Sequence, residues 1–194
     1  MPELVQQAYA VARRIGFPLS AEEAIPGRSS ASLPGTGRFL AMLAVGCTGR
    51  AGGAGDRIGE LGTGAGIGTA WMASAMPANC TLITAEIDAR RAAAVRELFA
   101  GDPRVEVITG DARGVLAGRG PFDLLFSDGG GGQDPALVDW LRVGGHIVMD
   151  DVTPGRPRAG DAKREFFFGD PRLVSAEVVL PDMRNALLVG TRTR

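Results

Sequence analysis

The sequence predicts an α/β protein in which a doubly wound, mostly parallel sheet of seven strands carries helices on both faces. From residue 56 onward, short apolar segments alternate with amphipathic ones, which is the rhythm of a parallel sheet with covering helices. The chain ends in two strand-like segments joined by the short turn PDMR. This hairpin would place an antiparallel strand at the edge of the sheet.

The length and composition predict a single domain over 1–194 with ordinary globular packing. The 194 residues are 45% hydrophobic and 22% charged, and 29 glycines with 12 prolines imply many short connections. A net charge of −1 gives no electrostatic footprint for nucleic acid. The two cysteines, Cys47 and Cys80, lack the spacing of a zinc site or a disulfide framework, so both are expected to be reduced and buried.

The segment before the first strand is predicted to contain two helices. Residues 3–15 form an amphipathic helix that ends at Gly16 and Pro18, and a loop over 20–37 follows. Residues 38–48 form a mostly apolar, buried helix, and the flexible turn 49–55 leads to the sheet. The N-terminal helix and loop, 1–34, are expected to serve as a substrate cap or a dimer contact.

The first strand, 56–61, runs into a glycine-rich loop, and the helix 68–76 after it is stopped by Pro77. The other predicted strands are 81–87, 104–110, 122–128, 146–151, 172–180 and 185–192, and the other helices are 89–100, 112–118, 134–141 and 161–168.

The glycine-rich stretch ELGTGAGIG, residues 60–68, would let the backbone approach a ligand closely. Such a loop directs free amides and the positive end of a helix at that ligand, which lies at the carboxyl ends of the strands. The dinucleotide fingerprint is G-x-G-x-x-G, whereas only one residue separates Gly64 from Gly66 here. The spacing therefore disfavours a pyrophosphate turn.

The same stretch resembles the first motif of class I S-adenosylmethionine-dependent methyltransferases, E/D-x-G-x-G-x-G. Glu60, Gly62, Gly64 and Gly66 match it at every position. The resemblance implies a Rossmann-like fold and a loop that wraps the methionine part and ribose of S-adenosylmethionine, with the acidic residue helping to hold the amino end. A carboxylate suits this cationic ligand and would repel a phosphate.

Two further carboxylates end the next two strands. Glu86 can accept hydrogen bonds from both ribose hydroxyls, and Asp88 is expected to cap the following helix. Asp111 would lie beside the adenine, with a helix N-cap as its alternative role. The predicted cofactor-binding residues are Glu60, Gly62, Thr63, Gly64, Gly66, Gly68, Glu86, Ile87, Gly110, Asp111, Ala112 and Asp128.

The order of motifs and the closing hairpin resemble the cation-dependent O-methyltransferases, the group of the catechol and caffeoyl-coenzyme A enzymes. The resemblance implies a divalent metal held by Asp128, Asp150 and Asp151, whose hard oxygens suit Mg²⁺, Mn²⁺ or Ca²⁺. Asp151 stands where the family has asparagine, and Gly131 stands where it tends to have a basic lysine. Asp128 is therefore the candidate catalytic residue, and the sole lysine, Lys163, is expected to be solvated surface.

These observations predict an S-adenosylmethionine-dependent methyltransferase that O-methylates a small hydroxylated acceptor, with metal assistance as an option. A cofactor-binding protein without catalysis and an NAD(P)-dependent oxidoreductase stay open as alternatives. The chain has no signal-peptide core and no membrane span, so a cytoplasmic location is expected. The family resemblance also allows a homodimer, since relatives are commonly dimers.

Overall fold

The computed structural model describes residues 1–20, 23, 30–47, 56–128, 133–180 and 186–194, apart from the side chain of Asp151. Within these ranges the strands are β1 (Arg57–Leu61), β2 (Thr81–Glu86), β3 (Val105–Thr109), β4 (Phe122–Ser127), β5 (Leu141–Val152), β6 (Leu173–Val179) and β7 (Ala186–Arg192). The helices are α1 (Glu3–Ile15), α2 (Pro34–Val45), α3 (Ile67–Ala75), α4 (Ala89–Leu98), α5 (Ala112–Leu116), α6 (Ala136–Asp139) and α7 (Ala162–Gly169).

All of these strands belong to one sheet in the order β3-β2-β1-β4-β5-β7-β6. Strands β1 to β5 are parallel to their neighbours, whereas β7 is antiparallel to both β5 and β6. The predicted α/β fold, with a mostly parallel sheet and a C-terminal hairpin, is confirmed. Within the hairpin, the antiparallel strand β7 lies one position inside the sheet and β6 forms the edge.

Helices cover the sheet on both faces, so the fold is doubly wound. Apolar side chains of α1 to α4 share one core with one face of the sheet, and those of α5 to α7 share a second core with the opposite face. The chain therefore changes direction across the sheet between β1 and β4. In open α/β sheets, the crevice outside this switch point is where ligands bind.

Three elements differ from the sequence-based boundaries. Helix α2 begins at Pro34 rather than residue 38, because proline at the first helical position fixes the backbone for a helix. Helix α6 is limited to four residues, and Asp134 accepts a hydrogen bond from the Ala136 amide at 2.9 Å. Strand β5 begins at Leu141, five residues before the predicted 146, and includes a register shift against β4 near Phe122.

Parts of the predicted connections lie outside the described residues. These are most of the loop between α1 and α2, the turn 49–55 and the turn 181–184. Cys47 and Cys80 are buried and free, as expected. Over the part of the chain that is described, no helix has the length and apolar character needed to cross a bilayer.

The end of α1 directs the next side chain toward the sheet. Gly16 adopts the left-handed conformation with a φ of 68°, which costs glycine little because it has no side chain. The amide of Phe17 then donates to the carbonyl of Ala12 at 2.9 Å. This pattern closes the helix and turns Phe17 back toward the loop after β1.

Candidate active site

A cleft opens at the carboxyl edge of the sheet, at the switch point between β1 and β4. The cleft and the solvent-filled space at its mouth together amount to about 940 Å³. Ten of the residues predicted to bind the cofactor line it: Gly62, Thr63, Gly64, Gly68, Glu86, Ile87, Gly110, Asp111, Ala112 and Asp128. The sequence motif and the cleft therefore coincide.

Two loop positions require glycine for different reasons. Gly64 has a φ of 55°, and a Cβ there would lie 2.9 Å from the ring of Phe17. Gly66 has a φ of 80°, and its Cβ would lie 2.8 Å from the side chain of Val95 on α4. Gly66 therefore allows α4 to pack against the loop, which explains why it does not line the cleft.

Glu60 lies behind the cleft wall and has no exposed surface. Its Oε2 accepts hydrogen bonds from the hydroxyls of Thr69 at 2.5 Å and Thr84 at 2.6 Å. Its Oε1 is buried and has no hydrogen-bond partner among the described residues. A Cβ on Gly68, a wall residue, would lie 2.5 Å from Oε1, so the carboxylate lies directly behind this part of the cleft wall.

Burial raises the pKa of Glu60 to about 7, because removal from water penalises the charged carboxylate. The two threonine hydroxyls oppose this effect by stabilising the ionised form, whereas the charges of Glu86 and Asp150 add to the rise in pKa. A cation placed in the cleft would favour the ionised form.

Glu86 lies on the cleft wall with both carboxylate oxygens engaged. Its Oε2 accepts from the amide of Gly64 at 2.8 Å, which ties it to the glycine loop. Its Oε1 accepts from the amide of Asp88 at 2.9 Å and from Nε and Nη2 of Arg91 at 3.1 and 2.8 Å. The structure therefore places Glu86 in the predicted position and adds Arg91 as its partner.

The far end of the cleft combines an apolar surface with a carboxylate. Ile87 lines it with 72% of its surface exposed, which is high for a large apolar side chain in a concave site. Asp111 also lines it and accepts a hydrogen bond from the Arg113 amide at 3.4 Å as the N-cap of α5. The two roles predicted for Asp111, a position beside the adenine and the N-cap of a helix, are therefore compatible. Asp88 caps α4, as predicted, by accepting from the amides of Arg90 and Arg91.

Asp128 lies at the opposite end of the cleft, directly after β4. Its Oδ2 accepts a hydrogen bond from the Ser32 hydroxyl at 3.1 Å. Ser32 is 5% exposed and belongs to the segment before α2. The segment before α2 therefore supplies a hydrogen-bond donor to Asp128, the candidate catalytic residue.

Two of the three predicted metal ligands lie on neighbouring strands. Ser127 pairs with Met149, so Asp128, directly after β4, and Asp150, within β5, follow at matching positions. Among the described side chains no group of three metal-ligating residues is found. The side chain of Asp151 lies outside the described part of the chain, as does Gly131 of the tetraglycine stretch.

The expectation that Lys163 is solvated surface is wrong. Its side chain is half-buried, and Nζ donates to the backbone carbonyl of Asp150 at 3.1 Å. The sequence separation of 13 residues hid this contact, because α7 folds back over the end of β5. The only lysine is thus held next to a predicted metal ligand.

Sequence reasoning missed Phe17, Ser32 and Arg91, which also line the cleft. Gly16 before Phe17 is a typical helix C-cap, so the direction of Phe17 was open to inference. Arg91 lies five residues after Glu86, in the first turn of α4, where its side chain can reach back to the strand end. Nothing in the local pattern marked Ser32, whose contact joins positions 96 residues apart.

Comparison with known proteins agrees with this geometry. Residues 60–152 match a family model described as a methyltransferase domain. A catechol O-methyltransferase from Niastella koreensis is 37% identical over 131 residues, which cover 61% of this chain and 57% of that protein. The chain spans less than two thirds of the length of such curated relatives.

Solved structures show the same fold. The O-methyltransferase TomG from Streptomyces achromogenes, in complex with SAM, superposes with a TM-score of 0.72 at 24% identity, covering 100% of this chain and 91% of that one. An O-methyltransferase from Bacillus cereus in complex with SAH gives 0.74 at 21% identity, covering 100% and 92%. Residues 60–152 are therefore similar to a methyltransferase domain, the chain's curated relatives include O-methyltransferases, and its fold is that of solved O-methyltransferases.

Proposed function

We propose that the protein binds S-adenosylmethionine in this cleft and transfers its methyl group to a hydroxyl oxygen of a small acceptor. The observation that carries the proposal is Oε1 of Glu60, a buried carboxylate oxygen that lies behind the cleft residue Gly68 and has no hydrogen-bond partner among the described residues. A buried acceptor without a partner is costly, so this site favours a ligand that brings a positive charge.

The charge distribution of the cleft supports the same ligand. Glu60, Glu86 and Asp128 lie at or near the carboxyl ends of three adjacent strands. Carboxylates attract an ammonium and a sulfonium and repel the pyrophosphate of a nicotinamide dinucleotide. When bound, S-adenosylmethionine would supply an electrophilic methyl group on its sulfonium sulfur.

The two ends of the cleft suit the two ends of this cofactor. Ile87 and Ala112 offer apolar surface for the adenine, and Asp111 offers an acceptor at its edge. Glu86 is placed for the ribose hydroxyls, because its Oε2 accepts only one hydrogen bond from the described residues. The methionine part would then extend along Gly62 and Gly64 toward Asp128.

Asp128 is the proposed general base. Its carboxylate lies at the cleft end away from Ile87, where an acceptor hydroxyl would meet the methyl group, and Ser32 orients it through Oδ2. Asp128 would accept the hydroxyl proton while the cleft holds the acceptor oxygen in line with the methyl group.

We also propose that a divalent metal assists the methyl transfer. Asp128 and Asp150 supply hard oxygen donors at neighbouring strand ends, which fit Mg²⁺, and Asp151 would complete the set. A metal held there would lower the pKa of the acceptor hydroxyl. Methyl transfer measured with EDTA tests this point: loss of turnover that Mg²⁺ restores supports the metal, and unchanged turnover removes it while leaving the methyltransferase proposal intact.

Titration calorimetry with S-adenosylmethionine and with NAD⁺ or NADP⁺ tests the cofactor. We expect binding of the first and none of the others, and binding of only a nicotinamide cofactor would contradict the proposal. A panel of catechols and hydroxamates then tests turnover. Cofactor binding with no methylated product from any acceptor would favour the alternative of a binding protein without catalysis.

We further propose that the protein acts in the cytoplasm as a homodimer, as the family resemblance allows. Light scattering on the purified chain gives the oligomeric state directly, and a monomer at micromolar concentration would contradict that part.

A further inference from the structure

The glycine loop is covered by a side chain from outside the methyltransferase motif. The Gly16 cap of α1 turns Phe17 onto the loop, where its ring is 8% exposed and would lie 2.9 Å from a Cβ on Gly64. The guanidinium carbon of Arg91 lies over the same ring, 5.7 Å from its centroid. A guanidinium over an aromatic face is attracted by the ring quadrupole.

Arg91 distributes the hydrogen bonds of Glu86 unequally. Both Nε and Nη2 of Arg91 donate to Oε1, and the Asp88 amide donates to the same atom. Oε2 receives only the Gly64 amide from the described residues. Each carboxylate oxygen has two lone-pair sites, so Oε2 is the oxygen with acceptor capacity left for a ligand.

We propose that Phe17 and Arg91 are positioning residues that hold Glu86 with Oε2 directed at the ribose diol of the cofactor. Phe17 fixes the plane of the guanidinium, the guanidinium occupies Oε1, and Oε2 is left to accept from a ribose hydroxyl. The first helix thereby becomes part of cofactor recognition, although neither residue belongs to the motif. This inference rests on the proposed function, because it needs a ribose-containing cofactor.

The contacts favour this role over that of an incidental surface ion pair. The Arg91 side chain is 35% exposed, but Glu86 is 5% exposed and the aromatic ring fixes the guanidinium from the other side. Arginine supplies two fixed donors in one plane, which lysine cannot do.

The experiment compares two ligands by titration calorimetry: S-adenosylhomocysteine and its 2′,3′-dideoxy analogue, which lacks the ribose diol. Arg91→Gln should lower the affinity for S-adenosylhomocysteine by about 10-fold or more, which is the usual effect of losing a hydrogen bond that involves a charged group. The affinity for the analogue should change by less than about 2-fold, because the analogue makes no hydrogen bond to Oε2. Phe17→Leu keeps apolar volume but lacks the ring. It should lower the affinity for S-adenosylhomocysteine by about 3-fold and leave the affinity for the analogue nearly unchanged.

Arg90→Gln is the matched control, because Arg90 is the exposed neighbour on α4 and does not line the cleft. It should leave both affinities unchanged. Arg91→Lys, which keeps the charge, serves if Arg91→Gln does not fold, and it should show the same selective loss. Thermal melts confirm that each variant is folded.

Equal weakening of both ligands by Arg91→Gln, or no weakening of either, would overturn the positioning role while leaving the proposed function intact. Failure of the unmodified protein to bind S-adenosylhomocysteine would instead contradict the proposed function itself. The two failures are therefore distinguishable.

Discussion

At the residue scale, the site depends on where its carboxylates are buried. Glu60 is enclosed under the loop by Thr69, Thr84 and Gly68, whereas Glu86 and Asp128 reach the cleft wall. The motif predicted that Glu60 would hold the amino end of the cofactor. Its position supports an electrostatic contribution through Oε1 from behind the wall.

Cofactor binding should release a proton from Glu60. Its pKa of about 7 means that much of the carboxyl is protonated at pH 6 in the free protein, and a bound cation favours the ionised form. The affinity for S-adenosylmethionine should therefore rise with pH through this pKa and level off above it. Calorimetry at pH 6 in two buffers of different ionisation enthalpy measures the released proton.

Glu60→Gln is the control for this prediction. The amide keeps the shape of the side chain but cannot ionise, so the variant should bind more weakly and release no proton from this position. Equal proton release by both proteins would show that another group titrates.

Gly68 lies between Glu60 and the cleft, so Gly68→Ala should disturb both the packing around Glu60 and the shape of the cleft. The added Cβ would lie 2.5 Å from Oε1 of Glu60 and 3.2 Å from the Phe126 ring, so the surroundings must shift. Overpacking of this kind costs about 1 to 3 kcal/mol in unfolding free energy, and cofactor affinity should fall with it.

Gly114→Ala is the matched control, because its Cβ would meet nothing within 4 Å. Urea unfolding and calorimetry of the two variants give the comparison. Equal stability and affinity for both would contradict the tight packing described at Gly68.

Local sequence patterns located the residues at strand ends but not those that reach the site from elsewhere. Glu86 ends a strand and Asp111 and Asp128 follow strands, so their common edge was predictable from topology. Ser32 and Lys163 arrive from distant segments, and their contacts depend on how helices pack over the sheet. No local pattern records that packing.

At the element scale, α7 is fixed to β6 by a buried arginine. The guanidinium of Arg164 is 2% exposed and donates to both oxygens of Glu177 at 2.8 and 2.7 Å. It also donates to Asp161 at 2.6 Å and to the carbonyl of Thr153 at 2.7 Å. This network closes the outer part of the C-terminal hairpin, next to the end of β5.

Arg164→Ala should lower the free energy of unfolding by about 3 to 5 kcal/mol, because it removes the buried guanidinium that donates to Glu177, to Asp161 and to the Thr153 carbonyl. Urea denaturation measures the change. Arg14→Ala removes an exposed pair with Glu97 at 3.1 Å and should cost less than about 1 kcal/mol. Similar losses for both variants would contradict the role of burial.

Element types were predictable because the apolar spacing of each segment is regular, and α1 matches the predicted range 3–15. The boundaries of the elements were less predictable than their types. The extra length of β5 depends on pairing with β4 at Leu141, before a register shift that spans a Gly-Gly segment, which local propensity disfavours as strand.

At the scale of the whole molecule, the sheet order brings separate segments of the chain to one cleft. The switch point places the glycine loop after β1 beside Asp128 after β4, and β2 and β3 add Glu86 and Asp111. The α1 end and the segment before α2 cover this cleft from the N-terminal side. Phe17 and Ser32 lie at the cleft, and the role of 1–34 as a substrate cap or a dimer contact stays a prediction.

The proposed function requires that this cleft hold S-adenosylmethionine in one orientation. A crystal structure of the protein soaked with S-adenosylhomocysteine and Mg²⁺ tests it most directly. We expect adenine density against Ile87, the ribose on Oε2 of Glu86 and the amino end beside Gly68 in front of Glu60. An empty cleft at saturating ligand, or the ligand bound with its adenine at Asp128, would contradict it.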